Sequence, residues 1–241
     1  MHRFFAEDIV EDRAVVYGED ARHIVKSLRM NCGEKLTLCD MKGFDYRCEI
    51  EKAEISAVRV RILEKTASLG EPYCRIRLYQ ALPKAGKLDL IVQKATELGA
   101  CEIVPIVTDR CIVRPSFGST EKKESRLQKI AYEAAKQSQR GRIPQILPMQ
   151  PFDKALEGMK EADIGILLYE EADRPLKEVL GQASPKTISL MVGSEGGFSG
   201  REISLARELG INITSLGHRI LRCETAPLCA LAAIMYHLQE F

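Results

Sequence analysis

No cysteine pair in this 241-residue chain has C-x-x-C spacing. The eight cysteines (Cys32, Cys39, Cys48, Cys74, Cys101, Cys111, Cys223 and Cys229) are scattered, so the ligand spacing of zinc and iron–sulfur sites is missing and no metal is expected. Reduced, mostly buried thiols are the expectation, since a chain of this length without an export signal does not need a disulfide framework. No apolar run approaches the roughly 18 residues of a membrane helix, so no membrane partner is expected. The start, Met1-His-Arg-Phe-Phe-Ala-Glu-Asp8, carries acids and no hydrophobic segment. A secretory signal is therefore not read there, and the expected location is cytoplasmic. The densest glycine stretch is not G-x-G-x-x-G, and no Gly-Lys-Ser/Thr follows it, which weakens dinucleotide and P-loop readings. Internal repeats and low-complexity tracts are also missing.

Net charge is only +1, and that balance hides a bias. Between Arg110 and Arg142 nine lysines and arginines face three acids, whereas from Ile143 onward nine bases face thirteen acids. A basic belt on a neutral chain suits a polyanion that touches one surface, although a solvated helix face has the same composition.

Two regions follow from the patterning. Residues 1–70 read as a small β-rich barrel, with short strands at Ala14–Tyr17, Lys35–Asp40, Asp45–Ile50 and Ala57–Leu63, and one helix at Glu19–Leu28. Ala67–Pro72 is the linker candidate. Residues 71–241 alternate strand and helix, the pattern of a parallel sheet with helices on both faces. Its helices are predicted at Lys87–Leu98, Glu121–Gln139 and Phe152–Met159. Pro105, inside the strand Glu102–Val107, favours an edge or strand-end position. Ile164–Tyr169 is apolar throughout, as in a strand covered on both faces.

The end of the chain holds two strand–loop–helix units. Ile188–Val192 leads into Gly193-Ser-Glu-Gly-Gly-Phe-Ser-Gly200 and the helix from Arg201. Ile213–Leu216 leads into Gly217-His-Arg-Ile-Leu-Arg-Cys-Glu-Thr225 and the final helix. Loops of this kind on neighbouring parallel strands make the ligand crevice of an open α/β sheet. Ser199 and Glu202 have capping-box spacing, and Thr225 is read as the cap of the final helix. Ile220 and Leu221 suit a wall for an aromatic ring. Glycine-rich βα turns that merely pack would look similar.

Val192-Gly-Ser-Glu-Gly-Gly-Phe198 with Leu216-Gly-His-Arg-Ile-Leu-Arg-Cys-Glu-Thr-Ala226 resembles the signature of the knotted SPOUT methyltransferases, and specifically the bacterial small-subunit (16S) ribosomal RNA uridine-N3 methyltransferases. The resemblance runs the whole length. It includes Met1-His-Arg-Phe-Phe5, Lys84, Gln93-Lys-Ala-Thr-Glu-Leu-Gly99, Arg110, Glu133–Arg140 and Pro144. His218 departs from it, standing where proline is common. The resemblance implies a C-terminal trefoil knot, a PUA-like RNA-binding barrel over 1–70 and a SPOUT methyltransferase domain over 71–241. It further implies a homodimer, and S-adenosylmethionine held by Leu168, Glu170, Gly193, Gly196, Leu216, Gly217, Ile220, Leu221, Thr225 and Ala226. The substrate implied is N3 of a uridine in small-subunit ribosomal RNA, within an assembled subunit.

That chemistry requires the N3 proton to be removed or the N3 anion to be stabilised: an arginine nearby would lower the pKa, and a carboxylate would accept the proton. Arg222 is the candidate arginine and Glu195 the candidate base, with bracing of its loop as the other reading of Glu195. Glu224 is a candidate for a structural ion pair with an arginine. Arg3, Arg22, Arg29, Lys84, Arg110, Arg140 and Arg142 are candidate phosphate contacts. A non-catalytic RNA-binding or assembly factor on the same fold, and a methyltransferase for another RNA position, are the alternatives.

Overall fold

A computed structural model describes residues 2–6, 8–114, 120–181 and 184–240. The chain divides into two compact units, Met1–Glu71 with Ala135–Ile143, and Pro72–Ala134 with Pro144–Phe241.

The first unit contains β1 (Arg3–Phe5), β2 (Asp8–Val10), β3 (Arg13–Tyr17), α1 (Gly18–Arg22), β4 (Lys35–Cys39), β5 (Phe44–Ala53) and β6 (Ala57–Ala67). The sheet order is β1-β4-β5-β6-β3-β2. In a flat sheet the outer two strands would lie about 24 Å apart, five spacings of about 4.8 Å. Phe5 and Asp8 are three residues apart and span at most about 11 Å. The sheet must therefore curl, in the manner of a PUA-like module. Period-two alternation places Ala14, Val16, Leu36, Leu38, Val58 and Val60 inside, where Ala21 and Ile24 cover them. The helix expected over Glu19–Leu28 is α1 continued by a π-helical turn, His23–Ser27.

Residues 135–143 join this unit through buried polar contacts. The Arg140 guanidinium, 3% exposed, donates to both Glu71 oxygens at 2.8 and 3.0 Å. Arg3 donates to Asp45 at 2.8 Å and to the Arg140 carbonyl at 3.1 Å.

The second unit holds β7 (Arg75–Ala81), α2 (Lys87–Glu97), β8 (Ala100–Val107), α3 (Thr120–Gln137, its last residues in the first unit), β9 (Gln145–Ile146), β10 (Gln150–Pro151), α4 (Phe152–Met159), β11 (Ile164–Leu168), α5 (Leu176–Leu180), β12 (Thr187–Val192), α6 (Gly200–Glu208), β13 (Asn212–Thr214) and α7 (Thr225–His237). The paired strands are all parallel, in the order β10-β8-β7-β12-β11-β13 with β9 also on β8. Helices α2, α3, α5 and α7 pack with Ile76, Leu78, Ile166 and Leu190 on one face. Helices α4 and α6 pack with Ala81, Val104, Leu167 and Met191 on the other.

Two expectations shift. β12 and β13 are not neighbours, because β11 lies between them and pairs with both. Pro105 lies on β8, inside the sheet rather than at its edge. Its outer side is covered by β9 at Glu102–Ile103 and by β10 at Ile106–Val107, so the proline falls in the gap where no ladder bond is required.

Candidate functional site

Strands β11, β12 and β13 run parallel, so their C-terminal ends, Leu168, Val192 and Thr214, open on the same edge of the sheet. The chain after each of them lines one cavity of about 380 Å³. Leu168, Tyr169 and Glu170 come from the first, residues 192–195 with Gly197 and Phe198 from the second, and Ser215–Gly217 with Arg219–Cys223 from the third. Lys87 and Ala226 complete the wall. The volume lies in the range of small-molecule sites, and the location is the one the fold class favours.

The glycine loop is shaped by its own residues. Ser194 and Gly197 form an antiparallel bridge, with the Gly197 N–H donating to the Ser194 carbonyl at 3.0 Å. Gly197 has φ +65°, and a Cβ there would lie 3.2 Å from a Glu170 carboxylate oxygen. A Cβ on Gly193 would lie 3.2 Å from both the Gly197 Cα and the Phe198 ring. Glycine serves the left-handed conformation at the first position and the close approach at the second. Phe198 is buried against Phe152, ring centroids 5.8 Å apart, and anchors the turn in the core. Ser199 then closes the expected capping box. Its hydroxyl accepts from the Glu202 N–H at 3.3 Å, and its own N–H donates to the Glu202 carboxylate at 2.8 Å.

The last loop ends in a turn in which the Thr225 and Ala226 N–H groups donate to the Arg222 carbonyl at 2.8 and 2.9 Å. Thr225 is the first residue of α7 and makes no side-chain cap; Glu224 holds the cap position. The expected capping role of Thr225 is therefore not realised. Ile220, 85% exposed, and Leu221 both line the cavity.

Eight of the ten pocket residues named from the sequence line the cavity: Leu168, Glu170, Gly193, Leu216, Gly217, Ile220, Leu221 and Ala226. Gly196 does not, since it packs against Arg110, which donates to its carbonyl at 3.1 Å. Thr225 lies just outside, in the turn. Lys87, Ser194, Phe198 and Cys223 line the cavity and were missed. Lys87 had only its place as the first residue of a predicted helix to mark it.

Charge in the site is organised around Lys87. Its ammonium lies 2.9 Å from Glu195 and 3.1 Å from Glu224. The Lys84 N–H also donates to Glu195, at 3.2 Å. Burial by itself would raise the Glu195 pKa, but Lys87 and the surrounding backbone N–H groups outweigh it and bring it down to about 2. A carboxylate held this way is a weak base, which favours the bracing role for Glu195 over proton acceptance. Glu224 pairs with Lys87 rather than with an arginine. The Cys223 thiol is pushed up to about 12 by burial and by donating to Glu224. Arg222 is exposed at the mouth, and no acid among the described residues forms an ion pair with it.

The candidate phosphate contacts separate into two groups. Arg22, Arg29, Lys84, Arg110 and Arg142 are exposed. Arg140 is buried with its guanidinium on Glu71, while Arg3, paired with Asp45, stays partly exposed and lines a surface cavity with Arg22, His23 and Lys26. Among the described residues no cluster of histidine, cysteine or acidic side chains has the arrangement of a metal site, and no helix is long and apolar enough to cross a membrane.

Known proteins share this architecture. A family model for an RNA methyltransferase domain matches residues 70–235, and one for an RNA methyltransferase PUA domain matches residues 16–63. Ribosomal RNA small subunit methyltransferase E of Bacillus subtilis is 34% identical over 99% of this chain and 98% of its own length. Its namesake in Synechocystis is 32% identical over 95% of this chain and 74% of its own length. A crystal structure of ribosomal RNA small subunit methyltransferase E from Neisseria gonorrhoeae bound to S-adenosyl methionine superposes with a TM-score of 0.84, at 30% identity over 98% of both chains. Matched in both of its units and along nearly its whole length, this chain belongs to the ribosomal RNA small subunit methyltransferase E family.

Proposed function

We propose that this chain methylates N3 of a uridine in small-subunit ribosomal RNA, with S-adenosylmethionine bound in the crevice beyond β11, β12 and β13. The observation that carries the reading is the construction of that crevice. It combines a glycine turn open to close approach, an apolar wall, and the Ser194 hydroxyl, which is buried with no hydrogen-bond partner among the described residues. An orphaned hydroxyl facing a cavity suits a polar ligand atom. The Neisseria relative was crystallised with this methyl donor.

S-adenosylmethionine supplies a methyl group on a sulfonium, and its displacement depends chiefly on alignment. Leu168, Leu216, Ile220, Leu221 and Ala226 provide apolar contact, and Glu170 an acceptor for hydroxyl or ammonium hydrogens. Gly193 and Gly217 give backbone access, while Gly196 and Thr225 shape the loops. Arg222, exposed at the mouth with no acid among the described residues paired to it, is suited to lower the N3 pKa of the incoming uridine, so that the proton passes to solvent water and the anion left behind is stabilised. Glu195 holds the glycine turn in place.

In the same reading, residues 1–70 form the RNA-binding module and residues 71–241 the transfer domain, with Arg22, Arg29, Lys84, Arg110 and Arg142 holding phosphates. The substrate is an assembled subunit in the cytoplasm. The C-terminal segment forms a trefoil knot. Support comes from the chain order: β13 lies outside β11, yet α7 packs on α2, so the chain recrosses the ends of β11 and β12. The protein works as a homodimer, supported by the uncovered face of α7, where Cys229, Ala233 and Tyr236 are exposed on a helix without acidic or lysine/arginine residues.

The test supplies the protein with labelled methyl donor and small subunits from cells lacking the gene, then maps the modified nucleoside. Label on uridine N3 is expected; label on a carbon or a ribose oxygen would defeat the assignment. Arg222→Ala is expected to slow transfer about 100-fold while changing donor affinity little. Equal losses in both would make Arg222 a donor-binding residue only.

A further inference from the structure

We infer that Lys87 is a positioning residue that ties together two loops of the donor crevice by neutralising a carboxylate from each. The inference rests on the methyl-donor reading of the cavity and adds a residue to it.

Three chain segments meet at the Lys87 ammonium. Glu195 comes from the turn after β12, at 2.9 Å, and Glu224 from the end of the loop after β13, at 3.1 Å. The lysine opens α2, directly after the turn in which Ala85 (φ +43°) and Gly86 (φ +71°) both take left-handed conformations. Lys84, in that turn, adds its N–H to Glu195 at 3.2 Å. Both carboxylate oxygens lie within hydrogen-bonding reach of one nitrogen, so they are at most about 6 Å apart, close enough for like charges to interact strongly.

The ammonium thus converts a repulsive pair into a bridge between the two loops that line the cavity. Both loops need such a bridge. Their strands, β12 and β13, are separated in the sheet by β11, and no ladder bond joins them directly. Lys87 is 30% exposed, so the bridge is partly screened from solvent. Among the described residues the ammonium also meets the Cys223 sulfur, 3.8 Å away. Burial keeps that thiol neutral at ordinary pH, so it cannot substitute for either carboxylate. The two glutamates are both held below the ordinary carboxylate range, Glu195 with Lys87 as the strongest lowering influence and Glu224 by backbone and Cys223 hydrogen bonds and by Lys87. They therefore stay charged, and stay dependent on the lysine, throughout the neutral range.

The experiment measures S-adenosylmethionine binding by calorimetry, and transfer at saturating donor, for the wild type, Lys87→Met, Lys87→Arg and the triple variant Lys87→Met/Glu195→Gln/Glu224→Gln. Lys87→Met is expected to weaken donor binding on the order of tenfold while kcat falls much less. Lys87→Arg should stay close to wild type. The triple variant should recover most of the lost affinity, because it has no like-charged pair left to neutralise.

Lys87→Met should also acquire a pH dependence that the wild type lacks. Without the ammonium, Glu195 and Glu224 face each other, their pKa values rise, and donor affinity improves as the pH falls from 7 towards 5. Recovery in the triple variant also shows that the lysine position tolerates methionine, so a folding defect in the single variant would not hide the result. Equal affinity of Lys87→Met and wild type, or no recovery in the triple variant, would overturn the inference. Failure of the wild type itself to bind S-adenosylmethionine would overturn the donor reading and this inference with it.

Discussion

Replacing Arg140 by methionine keeps the length of the side chain and removes its charge. In the native chain the guanidinium is 3% exposed and makes two hydrogen bonds to Glu71, at 2.8 and 3.0 Å. Removing one partner of a buried pair costs about 3–5 kcal/mol, because the other charge is left behind. Glu71 keeps some contact with water and a backbone donor, the Arg142 N–H at 3.0 Å, so the lower end, about 3 kcal/mol, is expected. For a chain of this size 1 kcal/mol moves Tm by about 2–4 °C, which gives a fall of about 6–12 °C in the transition that includes the first unit. The assay pairs thermal unfolding with RNA binding measured across salt concentrations. Each phosphate contact contributes about 0.7 to the log–log salt slope on single strands. Arg140→Met should therefore lower Tm and leave the slope unchanged, while Arg22→Gln should leave Tm unchanged and make the slope shallower. An Arg140→Met protein with native Tm and a slope reduced by about 0.7 would refute the structural assignment and return Arg140 to the RNA surface.

Two further outcomes follow from the same geometry. Phe198→Ala empties a buried site against Phe152 and should cost about 3–5 kcal/mol, with weaker donor binding because the glycine turn loses its anchor; native stability in thermal unfolding would contradict the anchoring role. Glu195 has its pKa lowered from 4.5 to about 2, so its contribution to stability is complete above the ordinary carboxylate pKa and fades as pH falls towards the lowered value. The Tm difference between wild type and Glu195→Gln should thus be constant above about pH 5 and shrink below it. A difference that grows with acidification would reverse the sign and exclude the ion pair as its source.

Much of this protein is local in origin, and that part is legible in the residues. Period-two alternation in Ala57–Leu63 and the apolar run Ile164–Leu168 foretell strands, because side chains on a strand must face a core or water. The wording of the glycine loop foretells a turn followed by a capped helix, since Ser199 and Glu202 are three residues apart and need nothing else to form their box. The paired loops at the end of the chain and the upstream blocks together carry the resemblance to the family.

Other features depend on residues far apart in the chain, and only the tertiary structure decided them. Strand order is one: nothing in β12 or β13 says that β11 will lie between them. Charge pairing is another. Arg140 and Arg142 are two residues apart in one basic stretch, yet Glu71 buries the first guanidinium while the second stays exposed. Glu195 looks like a free carboxylate until the fold brings Lys87, more than a hundred residues away, to 2.9 Å. A charged side chain's role depends on which opposite charge the fold delivers and how much water it removes, and neither quantity is carried by the residue or its neighbours in sequence.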